Sequence, residues 1–225
     1  GTLGQAARTF VDFLKAAGQT WWQILPVGPT GYGDSPYQSF SAYAGNPYLI
    51  DLDLLREDGL LTQAEIDSAF WGADPARVDY GALYQNRLAV LSIAFHRGWK
   101  RDAEAVAQFS AENRNWLPDY ALFMALKQHF GGKPWMRWPE DIRLRRREAV
   151  ERYRKALSED VALFTYLQFL FFRQWDALRA YAAEQGVRII GDLPIYVSAD
   201  SADFWNEPKL FQVDENNALK AVAGC

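Results

Sequence analysis

The first apolar positions of the chain recur with the period of a helix, and a continuous apolar run follows them. Four apolar residues fall on one helical face: Leu3, Ala7, Phe10 and Leu14. Gly18 supplies a stop for this helix. Residues 20–27 then have the sequence TWWQILPV, in which aromatic and branched side chains follow one another almost without interruption. This run predicts a buried parallel strand.

A similar order of helix and strand returns near the end of the chain. Between Leu52 and about Tyr153 the apolar spacing is helical, and five residues are predicted to divide the segment into short helices: Gly59, Gly72, Gly98, Gly131 and Pro134. One longer helix is predicted from about Glu159 to Gln185. Residues 187–197, VRIIGDLPIYV, then predict a second buried strand that ends in a polar turn.

Both predicted strands lead into polar segments. The first enters the 20 residues from Gly28 to Pro47, in which the density of Gly and Pro excludes regular structure. Loops of this length inside compact domains are uncommon unless they have a function. The second strand carries Asp192 at its end. Helix, strand and a strand-end acid repeat in α/β barrels and doubly wound sheets, where active sites collect at the strand ends.

Composition narrows the class of protein. The apolar share of 49% is too high for a disordered chain, one cysteine is too few for a disulfide scaffold, and no apolar run is long enough for a membrane span. A net charge of −4 gives no reason to expect a polyanionic partner, so we expect neither nucleic acid nor membrane as a partner. The basic run at 143–147 is predicted to be a solvated helix face. The lone Cys225 and the lack of a signal-peptide pattern predict a cytoplasmic location.

Common catalytic patterns are missing from the sequence. His96 and His129 lie in helical, amphipathic segments, and no metal-ligand or P-loop spacing occurs. Gly28, Gly31 and Gly33 follow a strand but do not lead into a helix, which disfavours a dinucleotide cradle. We therefore expect no cofactor and no metal.

The aromatic share of 15% is high, and the loop at 31–39, GYGDSPYQS, combines aromatic and polar side chains. Tyr32 and Tyr37 could stack on sugar rings while Asp34 and Ser35 bind hydroxyl groups. Alternatively, the tyrosines are hydrophobic plugs, and the acid and hydroxyl only form turns. Asp192 has the same two alternatives, substrate binding or capping of local backbone. Spacing alone leaves both open.

Longer motifs go beyond composition. Residues 25–39 are LPVGPTGYGDSPYQS, residues 41–51 are SAYAGNPYLID, residues 119–127 are DYALFMALK, residues 191–197 are GDLPIYV, and residues 222–224 are VAG. Together, and in this order, they resemble the 4-alpha-glucanotransferase family, also called amylomaltases or glycoside hydrolase family 77. The resemblance covers the whole chain.

The resemblance implies a fold and an activity. The fold would be α/β, part of a (β/α)8 TIM barrel with strands two and three and a large helical insertion. The segments would be 1–51 (second strand and glucan-binding loop), 52–158 (insertion) and 159–225 (helix, third strand and the start of the next loop). The family transfers α-1,4-glucan segments between maltooligosaccharides by a retaining double displacement, which needs two carboxylates about 5 Å apart.

The resemblance also implies roles for single residues. Ser35 and Tyr37 would lie in the donor sites, with Asp34 beside them, and Asp192 would end the third barrel strand. Tyr32 and Tyr84 would belong to an accessory glucan-binding surface. LPIYV follows Asp192 where α-amylases have an Asn-His pair, so a calcium site is not expected.

The expected catalytic carboxylates would follow Cys225, and the first barrel strand would precede Gly1. The segment alone is therefore predicted to be inactive. A non-catalytic glucan-binding module and a helical interaction protein are the alternatives.

Overall fold

The computed structural model of the chain describes residues 1–74, 76–214, 217 and 219–221. The helices and strands are α1 (Gln5–Ala16), β1 (Trp21–Gln23), α2 (Leu52–Glu57), α3 (Gln63–Asp67), α4 (Tyr80–Arg101), α5 (Ala103–Glu112), α6 (Leu117–His129), α7 (Glu140–Arg143), α8 (Arg147–Ala156), α9 (Ser158–Glu184), β2 (Arg188–Ile190) and α10 (Ala202–Asn206). Short 3-10 turns occur at Tyr32–Asp34, Pro47–Leu49, Trp135–Arg137 and Pro208–Leu210. Within the described ranges, no helix is both long and apolar enough to cross a membrane.

The two strands pair in parallel, with Trp22 opposite Ile189. Both are shorter than predicted, and the prediction that they are buried is wrong: Trp21 is 50% exposed. Successive strand residues point to opposite faces of the sheet. Trp22 packs edge-on against Phe10 of α1, at 5.2 Å between ring centroids. Trp21 points to the other face, where the guanidinium of Arg188 lies over its ring.

The chain divides into two compact units. The first unit comprises Gly1–Val27, Gly45–Phe109 and Tyr166–Asp192. The second comprises Gly28–Ala44, Ser110–Thr165 and Leu193–Cys225. Each unit joins segments that are distant in sequence. The division into 1–51, 52–158 and 159–225 concerns a barrel and its insertion, and it stays a prediction.

In the first unit, two buried glutamines of α9 bind the backbone of the 45–51 segment. The Gln168 side-chain amide accepts from Gly45 N–H (2.8 Å) and donates to its carbonyl oxygen (2.9 Å). Gln174 makes the same pair with Asp51, at 2.7 and 3.0 Å. Because buried polar groups are costly unless they are hydrogen-bonded, these pairs hold the segment on the helix. A Cβ at Gly45 would overlap the Phe171 ring, so only glycine fits there.

Gly98 corrects the predicted division of the helical region, because it lies inside α4 rather than at a boundary. A Cβ at this position would overlap the hydroxyl of Tyr166 and lie 2.8 Å from a methyl carbon of Leu60. The glycine therefore permits close packing within the helix, at the usual cost of glycine in a helix interior.

The second unit has an aromatic core around α6 and α10. Its buried residues are Ala44, Tyr120, Leu122, Phe123, Leu126, Trp135, Trp138, Ile142, Ala149, Ala202, Phe204 and Trp205. The buried indoles also have hydrogen-bond acceptors: Trp135 donates to Ala199 O (2.8 Å) and Trp205 to Ile142 O (3.1 Å). Much of the aromatic content of the chain is therefore core.

The basic run is not one solvated helix face, which corrects that prediction. α7 ends at Arg143, Arg145 has a φ of 53°, and α8 begins at Arg147. The Arg145 guanidinium lies 4.2 Å above the Trp205 ring and donates to Asp119 at 2.8 Å. Arg147 is solvated, as predicted. The run divides because one of its cations packs on the aromatic core.

Candidate functional site

The loop after β1, residues 28–44, closes on itself through backbone hydrogen bonds. Thr30 and Ser39 form an isolated antiparallel bridge, Gly31 N–H donates to Gln38 O (2.9 Å), and Phe40 N–H donates to Pro29 O (3.1 Å). The 28–44 loop has little regular structure, as predicted. Its conformation is nevertheless held by these hydrogen bonds across the loop.

Two serines hold the inner side of the 28–44 loop. Ser39 Oγ lies 2.8 Å from Pro29 O and 2.7 Å from Ser41 O. Ser41 Oγ accepts from the N–H groups of Tyr43 (3.1 Å) and Ala44 (3.3 Å). Both serines are buried, so their hydroxyl groups serve the backbone of the loop.

The tip of the loop carries the residues predicted to bind a sugar. Ser35 Oγ accepts from Tyr37 N–H at 3.3 Å, which is the turn-forming role. The Tyr37 side chain is 46% exposed and is therefore not a hydrophobic plug. Asp34 has a φ of 57°, and in the part of the chain that the structure describes its Oδ1 is buried without a hydrogen-bond partner. The side chain of Tyr32 lies outside the described residues; its backbone starts the 3-10 turn Tyr32–Asp34.

Asp192 follows β2 by two residues and is partly buried. The strand ends at Ile190, so the predicted extension to Val197 is wrong. The reason is that Leu193 and Ile195 are 82% and 89% exposed and have no strand to pair with in the described ranges. Asp192 belongs to the first unit, whereas the 28–44 loop belongs to the second.

Tyr84 lies in an aromatic cluster of the first unit. The Asp79 side chain caps α4 by accepting from Ala82 N–H (2.9 Å). In the helix that follows, Tyr80 and Tyr84 are neighbours one turn apart, at 6.4 Å between centroids, and Tyr84 meets Tyr48 edge-on at 5.7 Å. Tyr84 is 49% exposed, and Tyr80 is also exposed. Sequence reasoning missed Tyr80, although its i, i+4 spacing to Tyr84 was a usable signal.

A buried arginine supports this cluster. The Arg87 guanidinium donates to the carbonyl oxygens of Ile50 and Tyr48, and it lies 5.5 Å from the Trp71 ring. Burial lowers the pKa of Arg87 to about 10, and the charge of Asp51 opposes this shift. Arg87 therefore remains a cation at neutral pH and fixes the backbone that carries Tyr48.

The segment 199–205 fastens the 28–44 loop, which the sequence did not indicate. Ala202 N–H donates to Phe40 O (2.8 Å), and Ala42 N–H donates to Asp203 Oδ2 (2.9 Å). Burial raises the pKa of Asp203, and the hydrogen bond from Ala42 lowers it by less. Within the described residues, no group of three or more His, Cys, Asp and Glu side chains could hold a metal ion.

Comparison with known proteins decides the family. A profile described as 4-alpha-glucanotransferase matches residues 1–225. The chain belongs to this family. It is 52% identical to the 4-alpha-glucanotransferase of Thermus thermophilus and 45% identical to that of Clostridium butyricum, in both cases over 100% of this chain. The chain spans less than half the length of these relatives, 45% and 46%.

Solved structures agree with this family membership. The amylomaltase of Streptococcus agalactiae in complex with acarbose matches with a TM-score of 0.93 and 44% identity, over 96% of this chain and 44% of that one. The amylomaltase of Corynebacterium glutamicum matches with a TM-score of 0.69 at 19% identity, over 92% of this chain and 29% of that one. The second match supports the fold alone.

Proposed function

We propose that this protein is a 4-alpha-glucanotransferase that moves α-1,4-glucan segments between maltooligosaccharides by a retaining double displacement. The observation that carries the proposal is the family match over residues 1–225. The acarbose bound to the Streptococcus agalactiae relative supports a sugar-binding role. The finer fold proposal is that β1 and β2 are the second and third strands of a (β/α)8 barrel with a large helical insertion.

In this proposal the predicted site residues of the chain bind the sugar substrate. In the second unit, Ser35 and Tyr37, with Asp34 beside them, are the proposed donor-site residues of the 28–44 loop. In the first unit, Asp192 is proposed separately as a substrate-binding residue after β2. The half-exposed ring of Tyr37 is suited to stacking on the apolar face of a pyranose.

An accessory glucan-binding surface completes the proposal. The exposed ring of Tyr84 beside Tyr80 and Tyr48 supports such a role for Tyr84. For Tyr32 the role rests on the family resemblance alone.

None of these residues is proposed as the nucleophile or the acid/base. A retaining mechanism needs a pair of carboxyl groups roughly 5 Å apart, and the family resemblance implies that this pair lies on later barrel strands. Residues 1–225 alone are therefore expected to bind maltooligosaccharides without turning them over. A cytoplasmic location and the lack of nucleic-acid and membrane partners stay predictions from composition.

The activity is tested on the gene product at its natural length. Incubation with maltotriose should release glucose and form longer oligomers, because transfer to a sugar acceptor lengthens some chains while it shortens others. Release of glucose and maltose without longer products would indicate a hydrolase and contradict the proposal.

Binding is tested on residues 1–225 by calorimetric titration with maltoheptaose. Tyr37→Ala should weaken binding by about tenfold, which corresponds to the ~1.4 kcal/mol expected of one aromatic contact. Phe13→Ala is the matched control, since Phe13 is also an exposed aromatic residue but lies on α1. Equal losses for the two variants would contradict the assignment of Tyr37. Binding by the full-length product without turnover would favour a glucan-binding module.

A further inference from the structure

Lys127 brings a positive charge into the interior of the second unit. It lies on α6, and its side chain is only 8% exposed. Its ammonium group donates to Asp200 Oδ2 at 2.6 Å and to the carbonyl oxygens of Gly132 (3.0 Å) and Lys133 (3.3 Å). An ammonium group has three donors, so each donor has an acceptor. A buried lysine with a complete set of partners holds one geometry rather than many.

The same ammonium group also meets the 28–44 loop. Its nitrogen lies 4.9 Å from the centroid of the Phe40 ring, within the range of a cation–π interaction. Such a contact is stronger when the cation is removed from water, as Lys127 is. Lys127 therefore contacts both Asp200 and the 28–44 loop.

The partners of Lys127 are connected to each other by backbone hydrogen bonds. Asp200 Oδ1 accepts from Trp135 N–H at 3.1 Å, which fixes the carboxylate. Two residues later, Ala202 N–H donates to the carbonyl oxygen of Phe40, the residue whose ring lies below the ammonium group. Phe40 is thus held through both its ring and its backbone, and each of these contacts depends on the placement of residues 200–202.

We propose that Lys127 is a positioning residue for the 28–44 loop. By holding both Asp200 and Phe40 at one ammonium group, it keeps the loop that carries Ser35 and Tyr37 in a single arrangement. In the contacts that the structure describes, Lys127 meets the loop through Phe40. The consequence for sugar rests on the proposed function, whereas the hold on the loop is a property of the fold.

A substitution of Lys127 alone would leave the Asp200 carboxylate without its cation, and the stranded charge would destabilise the unit whatever the role of the lysine. The informative variant is therefore Lys127→Met with Asp200→Asn. Asparagine keeps an oxygen acceptor for Trp135 N–H but carries no charge. Lys155→Met is the matched control, because Lys155 is exposed and lies in the last turn of α8 in the same unit.

The first readout needs no sugar. Amide hydrogen exchange, followed by NMR on residues 1–225, should be about tenfold faster in the double variant for Ala42 and Ala202, whose N–H groups fasten the loop. The Tyr120 amide, which donates to Trp116 O at 3.0 Å, reports on α6 and should be unchanged. Unchanged exchange at Ala42 and Ala202 would overturn the proposal, as would equal acceleration at Tyr120.

The second readout is the affinity for maltoheptaose. The double variant should bind at least about threefold more weakly than the wild type, since a smaller fraction of molecules has the loop in place. Lys155→Met should bind like the wild type. Faster exchange with unchanged affinity would overturn the positioning role. If the wild type binds no maltoheptaose, the proposed sugar binding by this chain fails, and the exchange comparison by itself supports or overturns the hold on the loop.

Discussion

Asp34→Gly should stabilise the protein although it removes a residue from the proposed sugar-binding loop. Asp34 is held at a φ of 57°, which costs a residue with a Cβ about 1 kcal/mol, and its buried Oδ1 has no hydrogen-bond partner in the described ranges. An unsatisfied buried acceptor costs about 1–3 kcal/mol. Glycine relieves both costs and loses only about 0.5–1 kcal/mol of backbone entropy. The net gain is about 1–3.5 kcal/mol.

Thermal unfolding measures this gain. For a chain of this length 1 kcal/mol corresponds to roughly 2–4 °C, so the melting temperature should rise by about 2–14 °C. The neighbouring substitution Ser35→Gly is the control, since Ser35 has a φ of −71° and glycine offers no relief there. It should lower the melting temperature.

Asp34→Gly also tests whether the strain at Asp34 serves function. If Asp34 contacts sugar, Asp34→Gly should weaken maltoheptaose binding while it raises stability. Such a trade-off between stability and function is usual at strained functional sites. A melting temperature of Asp34→Gly at or below that of the wild type would refute the account of the strained turn.

Three further changes test other parts of the structure. Because the pKa of Asp203 is raised, its protonated form stabilises the fold below pH 3.8, and that contribution is lost as the pH rises. Asp203→Asn keeps an acceptor for Ala42 N–H, so its melting temperature at pH 7 should equal or exceed that of the wild type. The difference between the two melting temperatures should become smaller toward pH 4. Gly98→Ala should destabilise by about 1–3 kcal/mol in urea unfolding, despite the better helix propensity of alanine, because its Cβ overlaps the Tyr166 hydroxyl. Hydrogen bonds from an arginine lower the pKa of Glu65 to about 2, so the ionised side chain stabilises the fold fully above pH 4.5, and this contribution is lost as the pH falls toward 2. The stability of Glu65→Gln, followed by circular dichroism, should therefore depend less on pH between 4.5 and 2 than that of the wild type.

The helices with strong periodicity could be predicted from the sequence. The predicted helices after Leu3 and after about Glu159 agree with α1 and α9 to within a few residues at each end. The strands could not be predicted to the same accuracy, because strand length depends on neighbouring strands rather than on local pattern. Gly98 shows the same limit, since its place inside α4 is explained by Tyr166, which is far away in sequence.

Part of the candidate site could also be predicted. The density of Gly and Pro predicted a loop at 28–47, and residues 28–44 of it form the loop described above. The exposure of Tyr37 leaves its ring accessible, and its binding role stays a prediction. The residues that hold the loop could not be found in this way. Lys127 and Asp203 are ordinary charged residues in the sequence, and only their contacts with Phe40 and Ala42 distinguish them.

The two glutamines of α9 set a fixed distance along the chain. Gln168 and Gln174 are six residues apart, as are the Gly45 and Asp51 backbones that they bind, and both pairs are separated by 123 residues. Six helical residues span about 9 Å, so α9 fixes the distance between the backbone groups of residues 45 and 51. Inserting or deleting one residue between 45 and 51 would leave at least one buried amide unmatched. We therefore expect this spacing to limit the length of residues 45–51, whereas the two glutamines place no such limit on the residues before 45.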